Sequence, residues 1–276
     1  MKNMPIVDFY RTIPTKSADQ VREIISGQHR DGYNLIDVRQ PQEYERGHIP
    51  GAILIPLGEI PNRMSEIAPG RPAIVYCRSG NRSMSAAAML INSNFNDVYN
   101  LDGGISAYNG LKAHGSPEVR SLFFPTDASF ETIISLAWSL EEGLRIFYSS
   151  CKELSTKPEV IALFTKLTEA EDMHKTNIEK QYADITGKYD VEKIGKGTPH
   201  LMEALLNIEE TIQWCQGKDA PDIIELSMTI EANSYDLYAY LQRKVEDEQH
   251  RTFFRKMADE ELLHLRQMAS VLGQLV

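Results

Sequence analysis

The motif Glu171-Asp172-Met173-His174 recurs as Glu261-Leu262-Leu263-His264, and the two copies lie 90 residues apart without a gap. A further glutamate stands 30 residues before each motif, at Glu141 in the first copy and Glu231 in the second. Other side chains repeat in the same phase: Ile133, Ile134, Leu136, Tyr148, Phe164 and Lys166 pair with Ile223, Ile224, Leu226, Tyr238, Phe254 and Lys256. Segment 133–174 is therefore duplicated as 223–264, and the repeat includes side chains that can ligate metals.

Helical spacing explains how these side chains can meet. The Glu and His of each motif are three residues apart, so they project from one face of a helix. The two earlier glutamates add one carboxylate from each of two further helices, which completes the ligand set of a dinuclear carboxylate bundle. Two divalent cations would offset the cost of burying four glutamates. If all six residues merely lay on solvated helix faces, the duplication of apolar residues in the same phase would be unexplained. The predicted ligands are Glu141, Glu171, His174, Glu231, Glu261 and His264.

At these residues the chain resembles the rubrerythrin-type proteins of the ferritin-like superfamily, over roughly residues 125–276. Each half carries Glu-x6-Tyr, as Glu141…Tyr148 and Glu231…Tyr238, before its Glu-x-x-His. The resemblance implies an all-α ferritin-like four-helix bundle with a crossover helix and two iron ions. The same mixed carboxylate and imidazole donors accept manganese or zinc. Rubrerythrins usually carry a further Glu where this chain has Ser234. This chain also has no Cys-x-x-Cys pair, which implies that electrons come from a separate partner or from the persulfide itself.

A second chemical feature is the loop Cys77-Arg78-Ser79-Gly80-Asn81-Arg82-Ser83, between an apolar strand and a helix. A cysteine beside a helix N-terminus is favoured as the thiolate, and Gly80 permits the tight curve of an anion-binding nest. Arg78 and Arg82 add positive charge, so we expect the pKa of Cys77 to be lowered. The other cysteines, Cys151 and Cys215, are expected to pack in apolar helices that raise their pKa.

This half of the chain resembles the rhodanese family over about residues 15–115. The first signature is Leu35–Arg39 followed by Glu43-Tyr44 and Gly47–Ala52, and the closing one is Leu101–Tyr108. The resemblance implies an α/β rhodanese fold in which Cys77 is the sulfur-accepting nucleophile. It also implies that Asp37, Arg39 and His48 brace the fold, and that the persulfide is held by Arg78, Ser79, Gly80, Asn81 and Arg82.

Loop length separates two chemistries within this superfamily. Cys77 to Arg82 spans six residues, the length that goes with sulfur transfer, whereas the related phosphatases have one residue more. The resemblance therefore implies small sulfur donors and acceptors, namely thiosulfate, persulfides, thiols and, in vitro, cyanide. A phosphatase or arsenate-type activity is the disfavoured alternative.

Composition and charge narrow the class of protein. Hydrophobic residues make up 42% and charged residues 25% of 276 residues, which is ordinary for a globular chain of two domains. Residues 1–118 have no net charge and residues 119–276 have −10, so nucleic acid is not an expected partner. No long apolar run exists, Met1–Arg11 lacks a signal-peptide core, and the three cysteines are odd in number. We therefore expect a cytoplasmic protein that binds no membrane.

Strands and helices alternate through the first 115 residues, with predicted strands at Tyr33–Val38 and Ala73–Cys77 and a capping box at Ser17-x-x-Gln20. The predicted domains are 1–115, rhodanese-like, and 128–276, rubrerythrin-like, joined by a linker at 116–127. Helices are expected near 128–153, 158–186, 200–217, 221–245 and 248–273. The helix at 200–217 would be the crossover, with Trp214 and Cys215 as packing residues.

The combined interpretation is a sulfurtransferase that moves sulfane sulfur through a Cys77 persulfide, fused to a di-iron domain for redox or oxidant chemistry. One alternative is a di-iron oxidase or peroxidase whose rhodanese domain carries or senses sulfur. Another is a non-enzymatic persulfide carrier with an iron-binding bundle for assembly or storage, and metal content far above two per chain would support storage. Ferritin-like bundles commonly pair, so a homodimer is compatible with each of these three interpretations.

Overall fold

The computed structural model describes residues 13–27, 32–124, 128–187 and 200–275. The chain divides into two compact units, Met1–Ser116 and Pro117–Val276. The segment Met1–Arg11, examined above for a signal peptide, lies outside the described residues. Within the described ranges no helix has the length and apolar character needed to cross a membrane.

A five-stranded parallel sheet forms the first unit. The strands are β1 (Thr15–Lys16), β2 (Asn34–Asp37), β3 (Ile53–Leu54), β4 (Ala73–Tyr76) and β5 (Val98–Leu101). Every residue of β2 and β4 is buried, as the two apolar runs predicted. Successive side chains in these strands enter two separate apolar clusters, one on each face of the sheet. Within the sheet the strands lie in the order β1-β5-β4-β2-β3.

Helices cover this sheet and one of them starts at the cysteine loop. The predicted capping box is present, since Gln20 N–H donates to Ser17 Oγ at 3.3 Å and Ser17 N–H donates to Gln20 Oε1 at 2.9 Å. Short 3₁₀ turns occupy Leu57–Glu59 and Met64–Glu66. The helices are α1 (Ala18–Gly27), α2 (Pro41–Glu45), α3 (Ile60–Arg63), α4 (Asn81–Asn92) and α5 (Gly104–Ala107). The α/β fold predicted for this half is confirmed.

Four long helices form the second unit: α7 (Phe130–Leu154), α8 (Pro158–Thr186), α10 (Ala220–Lys244) and α11 (Glu248–Leu275). Helix α7 packs on α8, and α10 packs on α11. Side-chain caps fix two of their starts: Ser129 accepts from Thr132 N–H, and Asp219 accepts from Asp222 N–H. Gly187, at φ 66°, ends α8 as predicted. Two shorter helices of this unit are α6 (Pro117–Ser121) and α9 (Ile208–Cys215).

The crossover differs from the single helix predicted at 200–217. It consists of a 3₁₀ turn, Glu203–Leu205, followed by the separate helix α9. Ala204 and Leu205 have positive φ angles of 57° and 59°, which an α-helix does not allow. Asn207 then starts α9 by accepting the Glu210 N–H at 3.0 Å. The continuous helix was therefore a wrong prediction, because the chain turns sharply at Glu203–Leu205 before a new cap.

Part of the predicted linker 116–127 packs onto the bundle. Helix α6 lies within it, and Arg120 pairs with the buried Asp236 of α10 at 3.0 Å. Phe124 is 1% exposed and makes edge-on ring contacts with Tyr238 and Phe254. The rest of the predicted linker, 125–127, lies outside the described residues. The domain limits stay a prediction, although an ordered helix replaces a loose tether over 117–121.

Candidate functional site

The cysteine loop curves around its own sulfur between β4 and α4. Gly80 makes this possible with φ 99°, a conformation that residues with a side chain rarely adopt. Its N–H donates to Cys77 Sγ at 3.2 Å, and the Ser83 hydroxyl lies 3.4 Å from the same sulfur. The same hydroxyl also donates to Asn100 Oδ1 of β5 at 2.6 Å, so its single proton is shared between this oxygen and the sulfur. Donors from the loop and from the start of α4 therefore converge on one thiol.

These contacts decide the ionisation of Cys77. Burial alone would raise the pKa of the thiol, since it disfavours the charged form. Hydrogen bonds from the Ser83 side chain and from the backbone of Ser83, Ser79 and Gly80 outweigh burial, so the pKa of Cys77 is lowered. The expected direction is therefore found, with backbone amides and a hydroxyl as its main cause.

The two loop arginines contribute differently from the sequence-based expectation. Arg82 forms a two-pronged ion pair with Glu43, with N–O distances of 2.7 and 2.8 Å. This hydrogen bonding lowers the pKa of Glu43 to about 2. Arg78 is exposed. Arg82 therefore divides its charge between Glu43 and the Cys77 sulfur, with which it also interacts directly.

The residues expected to brace the fold make contacts of that kind. Arg39 pairs with Asp37 at 2.6 Å, with both side chains buried, and donates to the Gly47 carbonyl at 2.8 Å. The His48 ring stacks on Tyr44 with 3.5 Å between ring centroids. All of these partners come from the first signature, which explains why that stretch accompanies the cysteine loop.

Gly104, which the sequence did not single out, supports the loop from the closing signature. Ile105 N–H donates to the Cys77 carbonyl at 2.9 Å, and Ser106 N–H donates to the Arg78 carbonyl at 3.1 Å. A Cβ at Gly104 would lie 2.4 Å from the Cys77 carbonyl oxygen. The double glycine at 103–104 in the sequence was the available signal for this close approach.

Replacing Ser83 by Ala is expected to raise the pKa of Cys77, because the variant loses the side-chain donor and keeps the burial. The thiolate would then form at higher pH than in the unmodified protein. At neutral pH we expect sulfur loading from thiosulfate to slow by about five- to tenfold, the worth of one ordinary hydrogen bond. Titration of the ultraviolet thiolate absorbance measures the shift directly.

Ser79→Ala is the matched control, because Ser79 contributes to the sulfur through its backbone N–H. That donor survives the substitution, so the titration curve should not move. An unchanged curve for Ser83→Ala as well would contradict the role assigned to its hydroxyl.

In the second unit the six predicted metal ligands come together in the bundle interior. Each exposes 6% of its surface or less. His174 and His264 stack with 5.0 Å between ring centroids. Nδ1 of His174 lies 3.3 Å from Glu141, and Nδ1 of His264 lies 3.2 Å from Glu231. Groups whose ligand atoms all lie within 4.8 Å of one another are Glu171–His174–His264, Glu231–Glu261–His264 and Glu141–Glu203–Glu261.

The raised pKa values and the missing hydrogen bonds of these carboxylates are those expected of buried metal ligands. Burial, and then the charge of Glu141, raises the pKa of Glu171 well above its usual value, and burial with Glu203 does the same for Glu261. Buried oxygens without a hydrogen-bond partner include Glu141 Oε1, both Glu171 oxygens, and Oε2 of Glu203, Glu231 and Glu261. Such oxygens are costly unless a cation binds them, so the donor set fits two divalent ions.

Glu203 is the residue of this cluster that the sequence did not reveal. It lies on the crossover, outside the duplicated segments, and is 1% exposed. Its neighbours Met202 and Leu201 press against Gly143 of α7, where a Cβ would lie 2.4 Å from the Leu201 carbonyl oxygen. Gly143, two residues after Glu141 within a long helix, was a signal that another segment approaches there.

Further polar groups surround the cluster. The Tyr148 hydroxyl donates to Glu231, and the Tyr238 hydroxyl donates to Glu203. Nε2 of His174 faces Glu260, with 3.7 Å between the two atoms. Outer partners of this kind orient ligating side chains. The duplicated tyrosines are therefore part of the site's surroundings.

The remaining cysteines depart from expectation in one respect. Cys151 and Cys215 are both buried, as predicted, but they hydrogen-bond to each other across α7 and α9. That bond, and then burial, raises the pKa of Cys151, whereas it lowers the pKa of Cys215. A raised pKa for both was therefore wrong for Cys215. Trp214 was also misjudged as a packing residue, since it is 46% exposed beside Lys218.

Comparison with known proteins agrees with both halves. A rhodanese-like domain matches residues 17–111, and the rubrerythrin family matches residues 132–272. A sulfurtransferase of Allochromatium vinosum is 46% identical over 85 residues, covering 31% of this chain and 77% of that protein. Thiosulfate sulfurtransferase GlpE of Pseudomonas syringae pv. syringae is 36% identical over 99 residues, covering 36% and 87%.

Proposed function

Because this chain belongs to the rubrerythrin family and carries a rhodanese-like domain ahead of that family's bundle, we propose that it is a sulfurtransferase that works through a Cys77 persulfide, with a di-iron centre for redox chemistry in the same chain. The relatives named as sulfurtransferases support the first activity. The rubrerythrin match and the buried carboxylate–histidine groups support the second.

The observation that carries the sulfur-transfer proposal is the set of donors around Cys77. A sulfur that accepts hydrogen bonds from Gly80 and Ser83 is stabilised as an anion, and the thiolate is the nucleophilic form of cysteine. Cys77 is 1% exposed, whereas Arg78, Ser79 and Asn81 of the loop are exposed. This supports small, slender donors such as thiosulfate or the end of a persulfide.

The proposed transfer has two displacement steps. The Cys77 thiolate attacks the outer sulfur of thiosulfate, the S–S bond breaks, and sulfite leaves with the electron pair. The persulfide anion Cys77–S–S⁻ then occupies the loop, where backbone N–H groups and Arg78 offset its charge. An acceptor thiolate or cyanide attacks the outer sulfur next, which yields an acceptor persulfide or thiocyanate and restores the thiolate. No net oxidation occurs.

For the bundle we propose that Glu141, Glu171, His174, Glu231, Glu261 and His264 hold two metal ions, with iron preferred and manganese or zinc accepted by the same donors. When bound, two iron ions supply one-electron redox changes and Lewis acidity. The protein contributes a buried interior, the Glu260 carboxylate facing Nε2 of His174, and the Tyr148 hydroxyl as a hydrogen-bond donor to Glu231. Electrons would come from a separate protein or from sulfur compounds.

One purified sample tests both halves. After iron reconstitution we expect thiosulfate:cyanide sulfurtransferase activity together with about two metal ions per chain, the stoichiometry of a dinuclear bundle. Metal far in excess of that value would favour an iron-storage role. Absence of thiocyanate production would remove the sulfurtransferase proposal while leaving the metal centre in place.

A further inference from the structure

We propose that Glu203, supplied by the crossover, is a seventh protein ligand of the dinuclear centre, next to Glu141 and Glu261. This inference rests on the proposed metal centre and adds to it a residue that neither the repeat nor the motif contains. Four independent features of the structure lead to it.

The first feature is a break in the symmetry of the duplication. Residues 90 apart occupy equivalent places, so Tyr148 corresponds to Tyr238 and Glu231 corresponds to Glu141. The Tyr148 hydroxyl donates to Glu231, and equivalence would direct the Tyr238 hydroxyl to Glu141. It donates to Glu203 instead. Glu203 therefore stands between the second tyrosine and the cluster, and the two halves of the site are chemically different.

The second feature is a buried oxygen that has no hydrogen bond. Glu203 is 1% exposed, and one of its oxygens accepts from Tyr238. The other oxygen, Oε2, is buried without a hydrogen-bond partner. Glu203 shares a group with Glu141 and Glu261 in which the ligand atoms lie within 4.8 Å of one another. Three carboxylates this close repel one another unless a cation lies among them.

The third feature is the backbone that carries Glu203 into the bundle. Positive φ angles at Ala204 and Leu205 reverse the chain directly after it, and Met202 N–H donates to the Leu206 carbonyl at 3.0 Å to close the loop. Consecutive positive φ angles are uncommon for residues with side chains, and such conformations cluster at functional sites. Gly143 admits this loop against α7, since any Cβ there would collide with it.

The fourth feature is the space beside Ser234 on α10. Ser234 lies three residues after the predicted ligand Glu231 on the same helix, and its small side chain leaves room for Glu203. Ser234 lies near Glu203, and its hydroxyl donates to the Ile230 carbonyl at 3.2 Å. The crossover thus places a carboxylate beside the helix that carries Glu231.

Cobalt(II) titration of the full chain tests the proposal, because its visible absorption reports the ligands of each ion. Glu203→Gln keeps an acceptor for Tyr238 and removes the charge. We expect the affinity for one of the two ions to fall by at least about tenfold, with a changed spectrum for that ion alone. Glu209→Gln, an exposed neighbour on the same crossover, should match the unmodified protein.

The outcomes separate the two levels of the proposal. If the unmodified protein binds two ions and Glu203→Gln binds both with the same affinity and spectrum, Glu203 is not a ligand. If the unmodified protein binds none, the metal centre itself is wrong and the role of Glu203 falls with it. Should Glu203→Gln fail to fold, anomalous scattering from cobalt-loaded crystals of the unmodified chain decides. We expect a metal within about 2.2 Å of a Glu203 oxygen, and one beyond hydrogen-bond distance would overturn the proposal.

Discussion

Cys77→Ser protein is expected to lose thiosulfate:cyanide sulfurtransferase activity by at least about a thousandfold, as enzymes do when the attacking nucleophile is removed. A serine hydroxyl in this loop stays protonated at neutral pH, and the loop's hydrogen bonds cannot lower its pKa far enough to replace a thiolate. The initial rate of thiocyanate formation gives the readout. The substitution changes one atom, so the fold of the first unit should be retained.

Matched controls are the other two cysteines, both buried in the second unit. Cys151→Ala and Cys215→Ala proteins should keep the full transfer rate. Cys215 is the sharper control, because its pKa is lowered by the hydrogen bond from Cys151. Mass analysis after thiosulfate treatment should find the added sulfur on Cys77. Equal labelling of Cys215 would contradict the assignment.

The double variant Glu171→Ala with Glu261→Ala is expected to bind no metal, against about two ions per chain for the unmodified protein. Glu171 belongs to one of the three ligand groups and Glu261 to the other two, so the pair of changes removes a donor from every group. The apo variant should remain helical, since two buried carboxylates without adequate partners are removed from the bundle interior. Elemental analysis after iron reconstitution measures the loss.

The matched control for this experiment is Glu169→Ala with Glu248→Ala. These residues lie on α8 and α11, the helices that carry the two substituted ligands, and both are exposed. The control removes the same charge from the same helices, so it should keep its metal. Full metal content in the Glu171/Glu261 variant would show that the ligand assignment is wrong.

The sequence revealed the bundle because ligation and packing repeat together. A glutamate in one helix could lie on any face, but the 90-residue duplication also repeats Tyr148 and Phe164 as Tyr238 and Phe254, all buried. Because the ligands and the packing residues repeat in the same phase, only one assignment of helix faces places both sets in the bundle interior. Likewise, Gly80 and Cys77 are neighbours in sequence, so the curve of the loop follows from local chemistry.

What the sequence did not reveal depends on contacts between distant segments. Glu203 belongs to no repeat, and its entry into the cluster depends on two unusual backbone angles and on the space at Gly143. The pairing of Arg82 with Glu43 joins residues 39 positions apart, so Glu43 shares a charge that proximity in sequence assigned to Cys77 alone. The contact of Cys151 with Cys215 likewise arises from helix packing. A single sequence can mark a place where another segment approaches, as Gly143 does, but it does not identify that segment.

Native mass spectrometry of iron-reconstituted, thiosulfate-treated protein tests the central claim most directly, because it weighs the sulfur and the metal on the same chain. We predict one added sulfur atom, removed by cyanide and absent from Cys77→Ser protein, together with about two metal ions that persist in that variant. A chain that gains sulfur without metal, or metal without sulfur at Cys77, would contradict the claim that both activities reside in one molecule.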